Sequence, residues 1–334
     1  MTPQTFRALV AEQGPGDEFA RRIVERNLDE LPAGELLVKV HYSSLNYKDA
    51  LSALGRPGVT RNYPHTPGID AAGEVVSCTD GTFSPGERVL VTGYDLGMNT
   101  PGGYGQYIRV PSDWGVRLPV GLTLKESMIL GTAGLTAGLS LYRLAAAGVH
   151  PDSGEVLVTG ATGGVGSLAV CLLAKAGYRV AAVTGKVNQL DFLTSLGAKA
   201  VLSREELLRG ADRPLMKERW AGVLDVVGGE LLSAAVRSTR YGGAVTCCGL
   251  AASPELPLNV FPFILRAVSL IGIDSAQCPP ATRHEVWQRL AGPWRPERLL
   301  AGAVEVPLAG LEERFHAMLK GELSGRTVVD VLTA

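Results

Sequence analysis

Two stretches of the chain hold residues whose types and spacing can do chemistry. "TGATGGVGSLAV", Thr159 to Val170, sets Gly160, Gly163 and Gly166 at the mouth of an apolar helix. Glycines so placed allow a tight turn and let the backbone approach a pyrophosphate, while the helix start offers free N–H groups and a partial positive charge. "SSLNYKD", Ser43 to Asp49, gathers the amide of Asn46, the phenol of Tyr47 and the carboxylate of Asp49. Such a cluster can donate hydrogen bonds to a developing oxyanion and orient a proton donor.

A glycine pattern alone says little; its setting carries the argument. "EVLVTG" reads as a buried strand before the turn, and "VGSLAVCLLAKAG" as a helix after it, ended by Gly177. A strand, a glycine turn and a helix inside a βαβ unit is the setting of a dinucleotide site, against the bland alternative of a tight turn without a ligand. An NAD site carries an acid about 20 residues beyond the turn, on the ribose 2′-OH. Here that place falls in "VTGKVN", at Lys186, and the nearest acid, Asp191, lies inside the next predicted helix. Thr184, Gly185 and Lys186, with Arg204 after the third strand, can instead meet a 2′-phosphate with a hydroxyl, a backbone N–H and cations. The reading is therefore NADPH; the bland one leaves Lys186 and Arg204 merely solvated.

The surrounding elements must position these residues. "RVAAVTG", "AKAVLS", "GVLDVVGG", "GGAVTCCG" and "VSLIGID" read as strands, alternating with helices at "NQLDFLTSLG" and "ELLSAAVRSTR". That alternation predicts a doubly wound parallel sheet over residues 125–275. Residues 1–124 read as short strands and turns, among them the early alternation of "ELLVKVHYSSL". The tail, 276–334, with amphipathic "TRHEVWQRL" and "LEERFHAML" and a closing strand "RTVVDVL", is expected to return to this first, mostly-β domain. Val268–Asp274 is expected to be the last strand of the parallel sheet. Apolar and without lysine, it is expected to pair with its copy in a two-fold homodimer.

The totals exclude several classes. In 334 residues, 32 Lys and Arg balance 33 Asp and Glu, so no field of one sign draws nucleic acid or an anionic membrane. Five cysteines without a C-x-x-C pair suit a reducing, cytoplasmic setting rather than a disulfide framework, and no signal-peptide pattern opens the chain. Ser127–Val149 is nearly long and apolar enough for a membrane span. Arg143 and its glycines and hydroxyls favour a buried helix.

"YPHTPGIDAAGEVV", "FSPGERVLVTG" and "GGYGQYIRVPSD" resemble, in order, segments of the medium-chain dehydrogenase/reductase superfamily, and "ATGGVGSLAV" resembles its quinone-oxidoreductase-like branch. "SSLNYKDAL", "MILGTAGLTAG", "PFILRAVSLIGIDS" and "GRTVV" resemble the acryloyl-CoA reductase (AcuI/YhdH) group. The resemblance implies a GroES-like domain plus a Rossmann domain, and NADPH-dependent reduction of acryloyl-CoA to propionyl-CoA, with an NADPH:quinone oxidoreductase as the alternative. It implies catalytic roles in the Asn46–Tyr47–Asp49 segment, with Tyr47 touching cofactor or substrate; the bland alternative is that Asn46 and Asp49 cap a helix starting near Lys48. It also implies a phosphate turn at Thr162, Gly163, Gly164 and Val165, and nicotinamide-side positions at Leu250, Ile264 and Ser275. Leu250 and Ile264 have an alternative as core residues. Arg326 in "GRTVV" is expected over the cofactor. Zinc-holding members place a Cys and a His where this chain has Asn46 and Ile69, and Asp95–Arg109 lacks the cysteines of their structural zinc lobe. No zinc is therefore expected.

Overall fold

The computed structural model describes residues 5–333. The chain divides into two compact units: Met1–Thr132 with Gly302–Ala334, and Ala133–Ala301. In the first, β1 (Thr5–Gln13) and β2 (Phe19–Asn27) form an antiparallel pair. They are followed by β3 (Leu36–Ser44), α1 (Tyr47–Ala53), β4 (Asp70–Cys78), β5 (Arg88–Thr92), β6 (Tyr107–Val110) and β7 (Val116–Arg117). The early alternation of β3 does not persist in its burial: only Lys39 is exposed, because the strand is covered along its length and pairs with both β4 and β6. Its end, Ser43–Ser44, leads directly into α1, whose N-cap is Asn46.

The helix expected around Ser127–Val149 is α2 (Leu124–Ala146). By length and composition it is apolar enough to cross a membrane, yet 78% of its most apolar window is buried inside the protein, as in a core helix. It breaks at Gly131, whose φ of 52° and ψ of −155° suit only glycine. The second unit continues through β8 (Glu155–Val158), α3 (Gly164–Lys175), β9 (Arg179–Val183), α4 (Leu190–Leu196), β10 (Ala200–Leu202) and α5 (Arg204–Leu208). It goes on through β11 (Trp220–Asp225), α6 (Gly229–Arg237), β12 (Thr239–Cys247), α7 (Phe261–Arg266) and β13 (Ser269–Gly272). The six strands lie parallel in the order β10-β9-β8-β11-β12-β13. β11 is buried at every position, as a strand covered on both faces must be. The order reverses between β8 and β11, and ligands of open α/β sheets bind beyond the carboxyl ends at such a reversal.

The boundary expected at residue 275 lies later. α8 (Pro280–Ala291) and α9 (Glu297–Ala301) stay with the second unit. The reason is the apolar stripe of "TRHEVWQRL": Val286, Trp287 and Leu290 are fully buried, and Val286 packs on Gly138 of α2 so closely that a Cβ there would meet it at 2.6 Å. Only β14 (Val304–Pro307), α10 (Leu311–Leu319) and β15 (Thr327–Asp330) belong to the first unit. They complete its seven-stranded sheet, β14-β15-β3-β4-β5-β7, with β6 on β3. Leu311 and Phe315 of α10 enter the core that holds Leu45, Ala50 and Ala53 of the α1 region.

Candidate active site

The glycine turn connects β8 to α3, and Gly163 is the N-cap of that helix. Gly160 has φ of 58°, and a Cβ on Gly166 would lie 2.2 Å from the Gly160 carbonyl oxygen. One glycine makes the turn and the other lets the helix approach it; the Gly163 N–H closes the turn on the Gly160 carbonyl at 3.0 Å, and the N–H groups of Gly164, Val165 and Gly166 open the helix. Thr162 is buried, its hydroxyl 3.3 Å from that of Thr184 at the end of β9.

The four residues expected at a 2′-phosphate come together. The Thr184 hydroxyl accepts from the Lys186 N–H at 3.0 Å. Arg204 opens α5, and its guanidinium lies directly over Gly185, where a Cβ would meet Cζ and Nε at 2.9 Å. Asp191 sits within α4, past the strand end. The Thr184 hydroxyl, the Gly185 backbone and the Arg204 guanidinium therefore meet at the strand end where an NAD site has its carboxylate, with Lys186 next in the chain.

Leu250 and Ile264 are 64% and 68% exposed, so neither is a core residue. Ser275 accepts a hydrogen bond from the Thr136 hydroxyl at 2.8 Å. At the carboxyl ends of β8 and β11, Thr159 donates to Asp225 at 2.6 Å, and Asp225 also accepts from Val227 and Gly228 N–H. The Cys248 thiol bonds the Asp225 carbonyl at 3.2 Å, and burial pushes it far up, out of the range of a reactive thiolate. Sequence reasoning passed over Thr159 and Asp225; the strand-end position of each was the available signal.

In the first unit, Tyr47 is 51% exposed at the first position of α1. Asn46 and Asp49 turn inward, while Lys48 is exposed. Asp49 is fully buried; its carboxylate accepts from Asn46 N–H at 2.8 Å and from Ile69 N–H at 2.8 Å. The Asn46 amide donates to Asp70 at 2.8 Å and to the Ser44 hydroxyl at 3.0 Å. Asp70, also fully buried, further accepts from the Ser44 hydroxyl at 2.6 Å and from the N–H and hydroxyl of Thr132 at 2.9 and 2.6 Å. Asp49 caps α1, as the helix-capping alternative has it, joins a buried network and does not reach solvent. Burial first, and the Asp70 charge second, push its carboxyl up to about 7.

Arg326 corrects an expectation. It is 3% exposed, donates to the Ile129, Leu45 and Asn46 oxygens, and keeps Nη2 buried beside Gly131 without a hydrogen-bond partner. Its charge faces the buried Asp70 and Asp49 carboxylates, and it is enclosed beneath Asn46 rather than exposed at the surface, where a cofactor would be met. Asp70 carries no sequence signal of its own beyond its place next to Ile69 in "PGID"; its partners come from separate parts of the chain.

Two family descriptions match the two parts of the chain: "Alcohol dehydrogenase GroES-like domain" over residues 32–120 and "Zinc-binding dehydrogenase" over 164–292. Acrylyl-CoA reductase AcuI of Ruegeria pomeroyi is 44% identical over 98% of this chain and 99% of its own. The quinone-oxidoreductase-like YhfP of Bacillus subtilis is 44% identical over 97% of this chain and 98% of its own. The chain is a medium-chain dehydrogenase/reductase. Among solved structures, Escherichia coli YhdH with bound NADPH matches at a TM-score of 0.93 and 45% identity, covering 97% of this chain and 99% of that one. Bacillus subtilis yhfP with NAD bound matches at 0.95 and 44%, covering 98% and 99%.

For a medium-chain dehydrogenase/reductase, zinc is the group to test, and these residues do not fit it. The Asn46 amide is spent as a donor on Asp70 and Ser44, and Ile69 offers no ligand atom. Among the described residues no group of three or more His, Cys, Asp or Glu stands where it could hold a metal. His65, four residues before Ile69, is a buried packing residue whose imidazole burial keeps toward neutrality.

Proposed function

We propose that the protein reduces the carbon–carbon double bond of acryloyl-CoA to give propionyl-CoA, using NADPH. The observation that carries this reading is the near full-length likeness to acrylyl-CoA reductase AcuI, at 44% identity over 98% of the chain. The cofactor reading rests on the cluster of Thr184, Gly185, Lys186 and Arg204, and is supported by the NADPH bound to the similar YhdH.

When bound, NADPH supplies the hydride that enters at the β-carbon. The chain's own residues do the rest. The turn of Gly160, Thr162, Gly163, Gly164, Val165 and Gly166 holds the pyrophosphate at the start of α3. Leu250, Ile264 and Ser275 bind the nicotinamide side. Negative charge develops on the thioester oxygen, and Tyr47 donates a hydrogen bond to it; a donor so placed contributes about 10²–10³ in rate. The α-carbon takes its proton from Tyr47 or from water. Asn46 and Asp49 are positioning residues. They fix the start of α1, and so the backbone that carries Tyr47, from beneath.

The five free thiols suit a cytoplasmic enzyme. β13 lies at the edge of the parallel sheet and is the strand through which we expect a homodimer to form. The likeness to YhfP favours a second reading, an NADPH:quinone oxidoreductase. One assay separates the two: NADPH oxidation with acryloyl-CoA against a small quinone, with propionyl-CoA identified by mass spectrometry. Turnover of the thioester several orders faster than the quinone is expected; the reverse ranking, without propionyl-CoA, would replace the first reading by the second.

A further inference from the structure

We infer that a basic groove beside the far end of α1 seats the 3′-phosphoadenosine diphosphate end of coenzyme A. The inference rests on the enoyl-CoA reading above and names where that substrate's nucleotide is held. The groove has a volume of about 530 Å³ and lies wholly within the first unit. Its floor is apolar: Phe19, Leu54 and Leu319, all half-buried. The Phe19 ring is held in place from two sides. It meets Tyr63 edge-on at 4.8 Å, and it lies so close over Gly55 that a Cβ there would overlap it at 2.1 Å. A fixed aromatic ring in a groove that two leucines also line suits the face of an adenine.

The rim is cationic. Arg21, Arg56, Lys320 and His316 line it. The Glu312 carboxylate is occupied by a two-pronged pair with Arg21 at 2.9 and 2.5 Å, and His316 stands 3.5 Å from it. That pairing holds the Glu312 carboxyl below its ordinary range and cancels one cation. Arg56 and Lys320 have no carboxylate within ion-pair distance among the described residues, so two exposed positive charges remain over an apolar floor. A ligand with an aromatic base and several phosphates matches that combination; a simple inorganic anion would leave the floor unused.

The position agrees with the reaction. Tyr47 begins α1, and Leu54 and Arg56 follow its end. Helical rise puts the two ends roughly 10 Å apart. A thioester at Tyr47 is separated from its nucleotide by the flexible pantetheine arm, which spans such a distance with length to spare. Fixing the nucleotide on a groove remote from the reacting bond is one way binding energy of a non-reacting part orients the reacting one.

The test uses the full chain saturated with NADP⁺, so that the dinucleotide site is filled. Coenzyme A is titrated calorimetrically into the wild type and into the double variant Arg56→Glu, Lys320→Glu, with dephospho-coenzyme A and pantetheine as comparison ligands. The wild type should bind coenzyme A more tightly than dephospho-coenzyme A, and the double variant should lose at least about tenfold in coenzyme A affinity through lost attraction and added repulsion. Equal affinity in wild type and variant, or no coenzyme A binding by the wild type, overturns the groove. The functional reading is judged separately, by turnover of acryloyl-pantetheine in the wild type. Coenzyme A binding sensitive to the variant, without turnover of either thioester, would leave the groove standing and sink the reductase reading.

Discussion

At the scale of single residues, Lys186 and Asp49 make opposite kinds of statement. Lys186 stands at the end of β9, where an NAD enzyme places an acid, in a cluster with Thr184 and Arg204. On the proposed reading, Lys186→Asp removes a charge-assisted contact to the 2′-phosphate, and a hydrogen bond to a charged group contributes about 1.5–3 kcal/mol. The Michaelis constant for NADPH should rise by roughly 10- to 150-fold, while NADH use changes little or improves. Steady-state kinetics with both cofactors checks this; equal losses with NADH and NADPH in a folded variant would remove Lys186 from the phosphate site. Asp49 is a matter of stability. Its folded carboxyl is pushed up to about 7 by burial and by Asp70, above the ordinary value of 3.8. Between those two values the folded chain holds a proton that the unfolded chain has released, so stability falls as pH rises through the window. Asp49→Asn has no such proton. The wild type's stability margin over the variant should therefore be largest near about pH 4 and shrink by up to about 4 kcal/mol toward about pH 7. Urea unfolding at several pH values measures it, and a margin independent of pH would mean that Asp49 ionises as an ordinary carboxylate.

Among the elements, α2 shows how a break in one helix serves a site carried by another. At Gly131 the backbone takes a conformation open only to glycine, and the Thr132 N–H that follows points at Asp70. Asp70 in turn holds the Asn46 amide at the start of α1. A Cβ at Gly131 would lie 2.4 Å from the Asp70 carboxylate and 3.2 Å from Arg326 Nη2. Gly131→Ala should therefore cost at least about 2 kcal/mol in unfolding free energy, through backbone strain and displaced polar groups. A thermal or urea midpoint equal to the wild type's would show that the break is not needed.

For the whole molecule, the open question at the sheet edge is assembly. Among the described residues β13 ends the parallel sheet and pairs with β12 alone, and its residues Leu270 and Ile271 are only half-buried. Edges of this kind, without a lysine to blunt them, are templates for pairing. We expect β13 to meet its copy across a two-fold axis, and sedimentation at micromolar concentration should give a dimer. A monomer there would mean that the edge is protected by other means.

The nucleotide-binding half was largely legible in the sequence because its signals are local. A glycine turn between strand and helix is decided within a dozen residues, and Thr184, Gly185 and Lys186 are consecutive, so their placement follows from one strand end. Arg204 joined them because the third strand of such a sheet lies beside the second. The polar cluster of the first unit was legible only in part. "SSLNYKD" announced Asn46, Tyr47 and Asp49 together, but which side chains face outward depends on what closes over them. That closure comes from Asp70, Thr132 and Arg326, brought to one place from three separate parts of the chain. The same limit governs the boundary at residue 301: "TRHEVWQRL" is visibly amphipathic, but which core receives its apolar stripe is settled by Gly138 and its neighbours. Sequence by itself determined the chemistry available, because residue type and local turn geometry are short-range. Tertiary structure alone decided that Asn46, Asp49 and Arg326 work from beneath while Tyr47 stands exposed, because burial is a property of the whole packed chain.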